Sequence, residues 1–154
     1  DLLIEAVGLA RERGFEVQLE VNGAEQPEGE TNPDVQFKGS YEPHQLAERM
    51  ARVNVVAMAS TWYENSPMVI QEAFLHGRPV MAPRLGGMAE KIRDGQTGVL
   101  VAPGSVQALA EALQRLANQP ELLMQLQQGI QRLLSRRADP ERAHAQLYRR
   151  LMNC

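Results

Sequence analysis

The sequence predicts an α/β fold in which a mostly parallel sheet carries helices on both faces. Short apolar segments with the pattern of strands alternate along the chain with segments of helical periodicity, which is typical of βαβ units. The segment Val53–Ala59 is a nearly continuous apolar run, and such a run indicates a strand that is buried on both sides. Right-handed crossovers between parallel strands then narrow the topology to a Rossmann-like arrangement.

The length and composition are those of one ordinary globular domain. The chain has 154 residues, a net charge of −3 and 44% hydrophobic residues, which allows a sizeable core and argues against a nucleic-acid surface. Its only cysteine is Cys154, so no disulfide can form within the chain, and this fits a reducing compartment. The three histidines are dispersed, and we therefore expect no metal site.

The first half of the chain is predicted to alternate between helices and strands. Apolar residues spaced for one face predict a helix over residues 1–13, and Gly14 suits its C-terminal cap. Alternation predicts a strand over Val17–Val21, followed by an exposed loop over Ala24–Asp34. The other elements expected here are a strand over Val35–Phe37, a helix over His44–Arg52 and the buried strand over Val53–Ala59.

The second half opens with a helix from Pro67 to His76, which Gly77 is expected to end. Serine is a good N-cap and proline suits the first helical position, so Ser66 and Pro67 mark the start of this helix. Ser105 should cap a helix that runs to about Ala117. The remaining predicted elements are strands over Pro79–Ala82 and Gly98–Val101, and helices over Met88–Arg93, Pro120–Ser135 (with Gly129 as a weak point) and residues 139–152. A single domain is therefore expected, with an α/β part over residues 1–117 and a helical segment over residues 118–154.

The segment from Trp62 to Ala73 is the most informative of the chain. It holds Glu64 and Glu72 with seven residues between them, although this acidic-leaning chain repeats that spacing elsewhere. The context is more specific, because a buried strand, a short polar loop and a helix N-terminus follow one another. This is the arrangement that binds phosphate groups in open α/β sheets.

Taken in order, these segments resemble the C-terminal, nucleotide-sugar-binding domain of retaining glycosyltransferases with the GT-B fold, the family with a glutamate–seven–glutamate motif. The resemblance implies that the chain is the C-terminal half of a GT-B fold. The segments that carry it are Asp1–Ala6, Val21–Gly23, Val35–Gly39, Glu64–Ala73, Gly77–Val80, Gly86–Glu90, Asp94–Val101 and Ala108–Ala110.

The resemblance implies a site for a nucleoside-diphosphate sugar. Backbone N–H groups of Met68 and Val69 at the helix N-terminus would receive the diphosphate. Glu72 would accept hydrogen bonds from the ribose hydroxyls, since a carboxylate is an acceptor-only group. Glu64 would be the catalytic carboxylate, which contacts the donor sugar and stabilises the cationic transition state. The other implied donor-binding residues are Gly23, Gly39, Ser40 and Tyr41 near the base, and Asn65, Ser66 and Pro67 in the loop and at the helix start.

The chain departs from the family at its beginning. In the family, a strand and a loop with an arginine and a lysine precede the helix that begins here at Asp1, and neither residue is in this sequence. We therefore expect a fragment that lacks the first, central strand of its sheet. The strands over Val17–Val21 and Val53–Ala59 would then have facing edges without a partner strand. A strand from a neighbouring chain in a homo-oligomer could fill the gap, the two strands could pair directly, or the missing strand could belong to the rest of a longer protein.

No Asp-x-Asp motif occurs in the sequence. Its absence agrees with a reaction that needs no metal and no cofactor, in which protein cations and helix dipoles stabilise the leaving diphosphate. The predicted activity of the parent protein is retaining transfer of a sugar from a nucleotide-sugar donor to an acceptor held by an N-terminal domain, as in bacterial polysaccharide or glycoconjugate synthesis. The fragment alone is expected to be inactive.

Several alternatives stay open at this point. The chain could be a non-catalytic nucleotide-binding or assembly module of the same fold, or part of a related enzyme such as a nucleotide-sugar epimerase or a glycogen-type phosphorylase. Trp62 and Tyr63 could form a lid or sugar contact, or pack within their loop. The expected location is cytoplasmic, either free or at the inner face of the membrane. Arg136 and Arg137 are predicted to lie in a solvated turn, with a peripheral contact to anionic lipid as the alternative.

Overall fold

The computed structural model describes residues 2–63 and 67–137, which form helices and strands in alternation. The helix predicted over residues 139–152 lies outside these residues. The described elements are α1 (Leu2–Glu12), β1 (Leu19–Val21), β2 (Val35–Phe37), a short 3-10 turn (Pro43–Gln45), α2 (Leu46–Arg52), β3 (Val56–Ala57), α3 (Met68–Leu75), β4 (Val80–Pro83), α4 (Gly86–Lys91), β5 (Gly98–Val101), α5 (Val106–Asn118) and α6 (Pro120–Arg137).

The strands form two parallel groups. One group has the order β3-β4-β5, with Val56 beside Val80 and Met81 beside Val99. The other is the pair β1-β2, with Leu19 beside Val35. Every pairing in the described part is parallel, which confirms the predicted α/β class.

The strand β4 separates two hydrophobic cores. Its side chains alternate between the two faces of the sheet, as strand geometry requires. Met81 packs in a core with α1 and α5, whereas Val80 and Ala82 pack in a core with α2, α3 and α4. All four residues of β4 are buried, so helices cover the sheet on both faces.

The helix α6 contributes to both cores. Leu122 and Leu126 belong to the core beside α5, and Ile130 belongs to the core beside α3. Close packing at Gly129 makes this crossing possible, because a Cβ atom built there would lie 1.7 Å from the carbonyl oxygen of Gln96. The intrinsic cost of a glycine within a helix is thus accompanied by close packing, since Gly129 lets α6 approach the turn that contains Gln96.

Local hydrogen bonds end the helices where the sequence predicts. After α3, the N–H of Gly77 donates to Phe74 (2.9 Å) and the N–H of Arg78 donates to Ala73 (2.8 Å), which together form a Schellman motif. The same pair of bonds follows α1 at Gly14 and Phe15. The Ser105 hydroxyl accepts from the N–H of Ala108 (3.1 Å) and caps α5 as predicted.

The structure corrects several predicted boundaries. The strand predicted over Val53–Ala59 is paired only over Val56–Ala57 and is half-buried. One edge of β3 bonds to β4, and no described strand bonds to the other edge, so long pairing and full burial are not achieved. The strand predicted over Val17–Val21 is likewise limited to β1 and half-buried. The helix predicted to start at Met88 instead starts at Gly86, because both glycines of that turn enter its first turn.

The gap expected in the sheet is present in the described residues. The strands β1 and β3 belong to separate groups, so the alternative in which they pair directly with each other is wrong for this structure. The other two ways of filling the gap stay predictions.

None of the helices among the described residues has the length and apolar character needed to cross a membrane.

We expect Gly129→Ala to destabilise the protein. On helix propensity alone, the change would stabilise α6 by about 1 kcal/mol. The new methyl group would instead collide with the Gln96 backbone, and overpacking of this kind costs roughly 1–3 kcal/mol. Urea unfolding of the variant should therefore show a lower free energy of unfolding.

Gly8→Ala is the matched control for this change. Gly8 lies within α1, and a Cβ there would meet only the Asn32 side chain at 3.8 Å, an ordinary contact. This variant should be unchanged or more stable by up to about 1 kcal/mol. An equal change in the free energy of unfolding for Gly129→Ala and Gly8→Ala would contradict the close packing of α6 at Gly129.

Candidate functional site

The glycines that follow β1 and β2 meet each other. The N–H of Lys38 donates to the Val21 carbonyl (2.8 Å), and the N–H of Gly23 donates to the Gly39 carbonyl (2.8 Å). Both glycines have positive φ, +86° and +63°, which disfavours any residue with a Cβ. The parallel pairing thus continues past the strand ends and turns both chains sharply at the carboxyl edge. Two of the predicted donor-binding residues are brought together in this way.

The turn after Gly39 is anchored at its far end. The N–H of Glu42 donates to the Gln45 side chain (2.9 Å), and the N–H of Gln45 donates to the Glu42 carbonyl (2.9 Å). The predicted residues Ser40 and Tyr41 lie between these two fixed points, and both are exposed. Their backbone groups are therefore presented at the carboxyl edge of β2.

The second group of predicted residues lies on α3, after β3. Pro67 has extended backbone (φ −61°, ψ 116°) and takes the N-cap position, so the helix begins at Met68 rather than at Pro67. The first N–H groups of a helix have no partner within it, and the helix dipole adds partial positive charge there. The N-terminus of α3 can accordingly receive an anion at Met68 and Val69.

Glu72 lies one turn from this N-terminus. Residues four apart share a face of a helix, so Glu72 lies on the same side as Met68, whose exposed fraction is 69%. The opposite face carries Ile70, Ala73 and Phe74 into the core, which fixes the helix against the sheet. Glu72 is itself half-buried. The geometry allows this carboxylate to face a ligand held at the start of the helix.

Glu64, Asn65 and Ser66 lie outside the described residues, so the structure does not locate the predicted catalytic carboxylate or its two neighbours. The two aromatic residues just before them are described. Trp62 is 80% exposed and Tyr63 is 79% exposed, which shows that they do not pack within the loop. The other interpretation of this pair, as a lid or a sugar contact, stays a prediction.

A cation stands at the carboxyl end of β4. Arg84 follows this strand, and its guanidinium donates to the Asp94 carboxylate (2.6 Å). The same carboxylate accepts from the N–H of Leu100 (3.0 Å), which ties the turn before β5 to that strand. Because the charge of Arg84 is balanced by Asp94, this pair serves first to hold the turn.

Within residues 2–63 and 67–137, no group of three or more His, Cys, Asp or Glu side chains is placed to hold a metal ion.

One residue of this region is missed by the sequence prediction. Arg49 of α2 reaches Asn22, Lys38 and the ring of Tyr41, and so contacts both glycine turns. Nothing in the sequence pattern distinguishes it from the neighbouring Arg52, since both are basic residues on the polar side of a short helix. Only the fold brings these contacts together.

The chain belongs to the family of glycosyl transferases group 1. Residues 1–119 match this family, which is more than half of the 154 residues. The fold is that of the C-terminal half of GT-B glycosyltransferases, as the resemblance predicts.

Individual relatives match over different lengths. The chain is 40% identical over 79 residues to an exopolysaccharide phosphotransferase of Streptomyces coelicolor, covering 51% of this chain and 8% of that protein. It is 30% identical over 142 residues to a D-inositol 3-phosphate glycosyltransferase of Rhodococcus erythropolis, covering 82% of this chain and 32% of that protein.

A solved structure matches nearly the whole chain. HepE of Anabaena in complex with UDP superposes with a TM-score of 0.73 at 26% identity, covering 99% of this chain and 44% of HepE. The complex of HepE with UDP-glucose gives a TM-score of 0.74. The chain thus spans less than half of the length of each of these three proteins.

We expect Gly39→Ala to open the contact between the two glycine turns. A Cβ at Gly39 would meet only a side-chain oxygen of Glu25 at 3.7 Å, so the cost is backbone strain of roughly 1–2 kcal/mol. Relief of that strain should break the hydrogen bond that the Gly23 N–H donates to the Gly39 carbonyl. Amide hydrogen exchange at Gly23, followed by NMR, should become faster.

Gly14→Ala provides the comparison, because Gly14 has a similar φ of +83° but lies before β1, at the opposite end of that strand. The Gly14→Ala variant should lose a similar amount of stability. Protection of the Gly23 amide from hydrogen exchange, measured relative to global unfolding, should stay unchanged. Unchanged protection of Gly23 in Gly39→Ala would show that the turns are not coupled.

Proposed function

We propose that this chain is the donor-binding domain of a retaining glycosyltransferase, which transfers a sugar from a nucleoside-diphosphate sugar without a metal ion. The observation that carries the proposal is the match of 99% of the chain to HepE, a protein solved with UDP and with UDP-glucose. Membership of glycosyl transferases group 1 supports the same reaction class.

The diphosphate is assigned to the N-terminus of α3. In glycosyl transfer the bond between the anomeric carbon and the diphosphate oxygen breaks, and negative charge grows on the leaving diphosphate. The N–H groups of Met68 and Val69 at the start of α3 and the dipole of this helix are fixed before the reaction, so they stabilise that charge without rearrangement. This is the proposed reason that no metal ion is needed.

The two glutamates are assigned to the ribose and the sugar. Glu72 lies one turn beyond the diphosphate position, and its carboxylate accepts hydrogen bonds from the two ribose hydroxyls. Glu64, with Asn65 and Ser66 beside it, contacts the donor sugar and stabilises its positive charge as the leaving group departs. When the transfer occurs in one step, retention requires that the acceptor attack from the face that the diphosphate leaves.

The base is assigned to the turns after β1 and β2. Gly23 allows close approach, and the backbone of Ser40 and Tyr41 offers hydrogen-bonding groups at the carboxyl edge. The acceptor is assigned to a part of the parent protein outside this chain. The chain alone therefore binds the donor and does not transfer its sugar.

A second candidate is favoured by the 40% identity to an exopolysaccharide phosphotransferase. In transfer of a sugar phosphate, a P–O bond of the donor breaks and a nucleoside monophosphate leaves. In glycosyl transfer, the anomeric C–O bond breaks and a nucleoside diphosphate leaves. Mass spectrometry of the products of the parent protein would distinguish the two reactions by the nucleotide that is released.

The direct test of the donor site is a titration of the chain with UDP, GDP and ADP, followed by thermal shift and NMR. A ligand at about a hundred times its Kd stabilises the fold by roughly 2.7 kcal/mol. We expect at least one of the three to bind. Failure of all three to bind at millimolar concentration would contradict the donor-site proposal.

We expect Glu72→Gln to weaken binding of that nucleotide strongly. The change keeps the shape of the side chain and removes the charge that two ribose hydroxyls need. Hydrogen bonds to a charged group contribute about 1.5–3 kcal/mol each, so Kd should rise by about tenfold or more. Isothermal titration calorimetry measures this directly.

Glu111→Gln is the control, since it removes the same charge from an exposed position on α5. Its Kd should equal that of the unchanged chain. Equal binding by Glu72→Gln and Glu111→Gln would remove Glu72 from the site while leaving the nucleotide assignment intact.

A further inference from the structure

Arg49 connects three parts of the region that follows β1 and β2. Its Nη1 donates to the side-chain oxygen of Asn22 at 2.5 Å, next to Gly23. Both Nη1 and Nη2 point to the carbonyl oxygen of Lys38 at 3.4 Å, next to Gly39. Its Cζ lies 5.4 Å from the centre of the Tyr41 ring, within the range of a cation–π contact.

A guanidinium group is suited to this arrangement. Its donors lie in one plane with fixed directions, while its faces remain free to stack on an aromatic ring. Arg49 uses both properties at once, because the donors reach the ends of two strands and the ring of Tyr41 lies over the group. The side chain is half-buried, so these contacts are only partly screened by water.

Arg49 also contacts the turn over residues 39–41, whose two ends are held by other bonds. Gly39 is held by the bond from Gly23, and Glu42 is held by its bonds with Gln45. Tyr41 lies between them with 37% of its surface exposed, and the Arg49 guanidinium lies over its ring within cation–π range. Removing the guanidinium would free the ring and would release the Lys38 carbonyl and the Asn22 side chain together.

We propose that Arg49 is a positioning residue for the nucleoside half of the donor. It holds the backbone of Ser40 and Tyr41 in the one arrangement that faces the base, and so contributes to the choice of base. This inference rests on the proposed function, which places the base at this turn. It adds a residue on α2 that does not itself touch the nucleotide.

The surroundings of Arg49 argue against direct binding of the diphosphate. The cavity beside it is lined by two carboxylates, Glu20 and Glu48, as well as by the cations Lys38, Arg49 and Arg52, so its charges are nearly balanced. The donors of Arg49 are directed to Asn22 and Lys38. These donors therefore serve contacts within the protein, and the proposed effect of Arg49 on the ligand passes through the turn.

The test compares Arg49→Met with the unchanged chain. The probes are UDP, GDP, ADP and inorganic pyrophosphate, and isothermal titration calorimetry measures each Kd. For the nucleoside diphosphate that binds most tightly, Kd should rise about tenfold, which corresponds to about 1.4 kcal/mol. The Kd of pyrophosphate should stay within about twofold, and the preference among the three bases should shrink.

Two further variants separate positioning from general damage. Arg52→Met removes the same charge from the same helix, three residues further on, and should leave every Kd unchanged. Arg49→Lys keeps the charge over Tyr41 but loses the planar donors, so its effect should be intermediate. Thermal unfolding without ligand should confirm that all three variants are folded.

The outcomes distinguish this inference from the function on which it rests. If the unchanged chain binds none of the nucleoside diphosphates, both fail. If it binds one of them and Arg49→Met binds it equally well, only the role of Arg49 is overturned. An equal loss for pyrophosphate and for the nucleoside diphosphate would also overturn it, since Arg49 would then act on the phosphates.

Discussion

The burial of β4 on both faces is the constraint on which the described fold depends. This strand is bonded to β3 on one edge and to β5 on the other, and its side chains alternate between the two cores. Its carboxyl end therefore has a fixed direction, and the helices that flank it have fixed places. The start of α3 is held at the sheet edge because its buried face packs against the same strand. The proposed diphosphate position at that helix depends on this packing.

The sequence predicted best those features that are decided by neighbouring residues. The ends of α1, α3 and α5 are set by Gly14, Gly77 and Ser105, whose effect is confined to one turn of backbone. The length and burial of β3 could not be predicted from its apolar composition, because they depend on whether a second strand lies beside it. For the same reason, the role of Gly129 follows from the distant Gln96 and not from helix propensity.

The candidate site divides in the same way into features that local sequence predicts and features that depend on distant residues. The meeting of Gly23 and Gly39 follows from parallel strands that end at one edge, and the resemblance already marks both residues. The contacts of Arg49 require that α2 pack beside two strands that are distant in sequence, so no local pattern announces them. The meeting of the two glycines is thus easier to anticipate than the contacts of Arg49, because a long side chain can reach residues that are distant in sequence.

The division of the strands into two groups has a consequence for the stability of each part of the molecule. The pair β1-β2 has half-buried strands, whereas β4 is wholly buried, so the free energy needed to open each group differs. Segments with less burial open locally at a cost below that of global unfolding. The proposed nucleoside half of the site lies on the group that opens more easily, and the proposed diphosphate half lies on the more rigid one. A nucleotide that contacts both groups would connect the less stable group of strands to the more stable one. Its binding would therefore change how independently the two groups open.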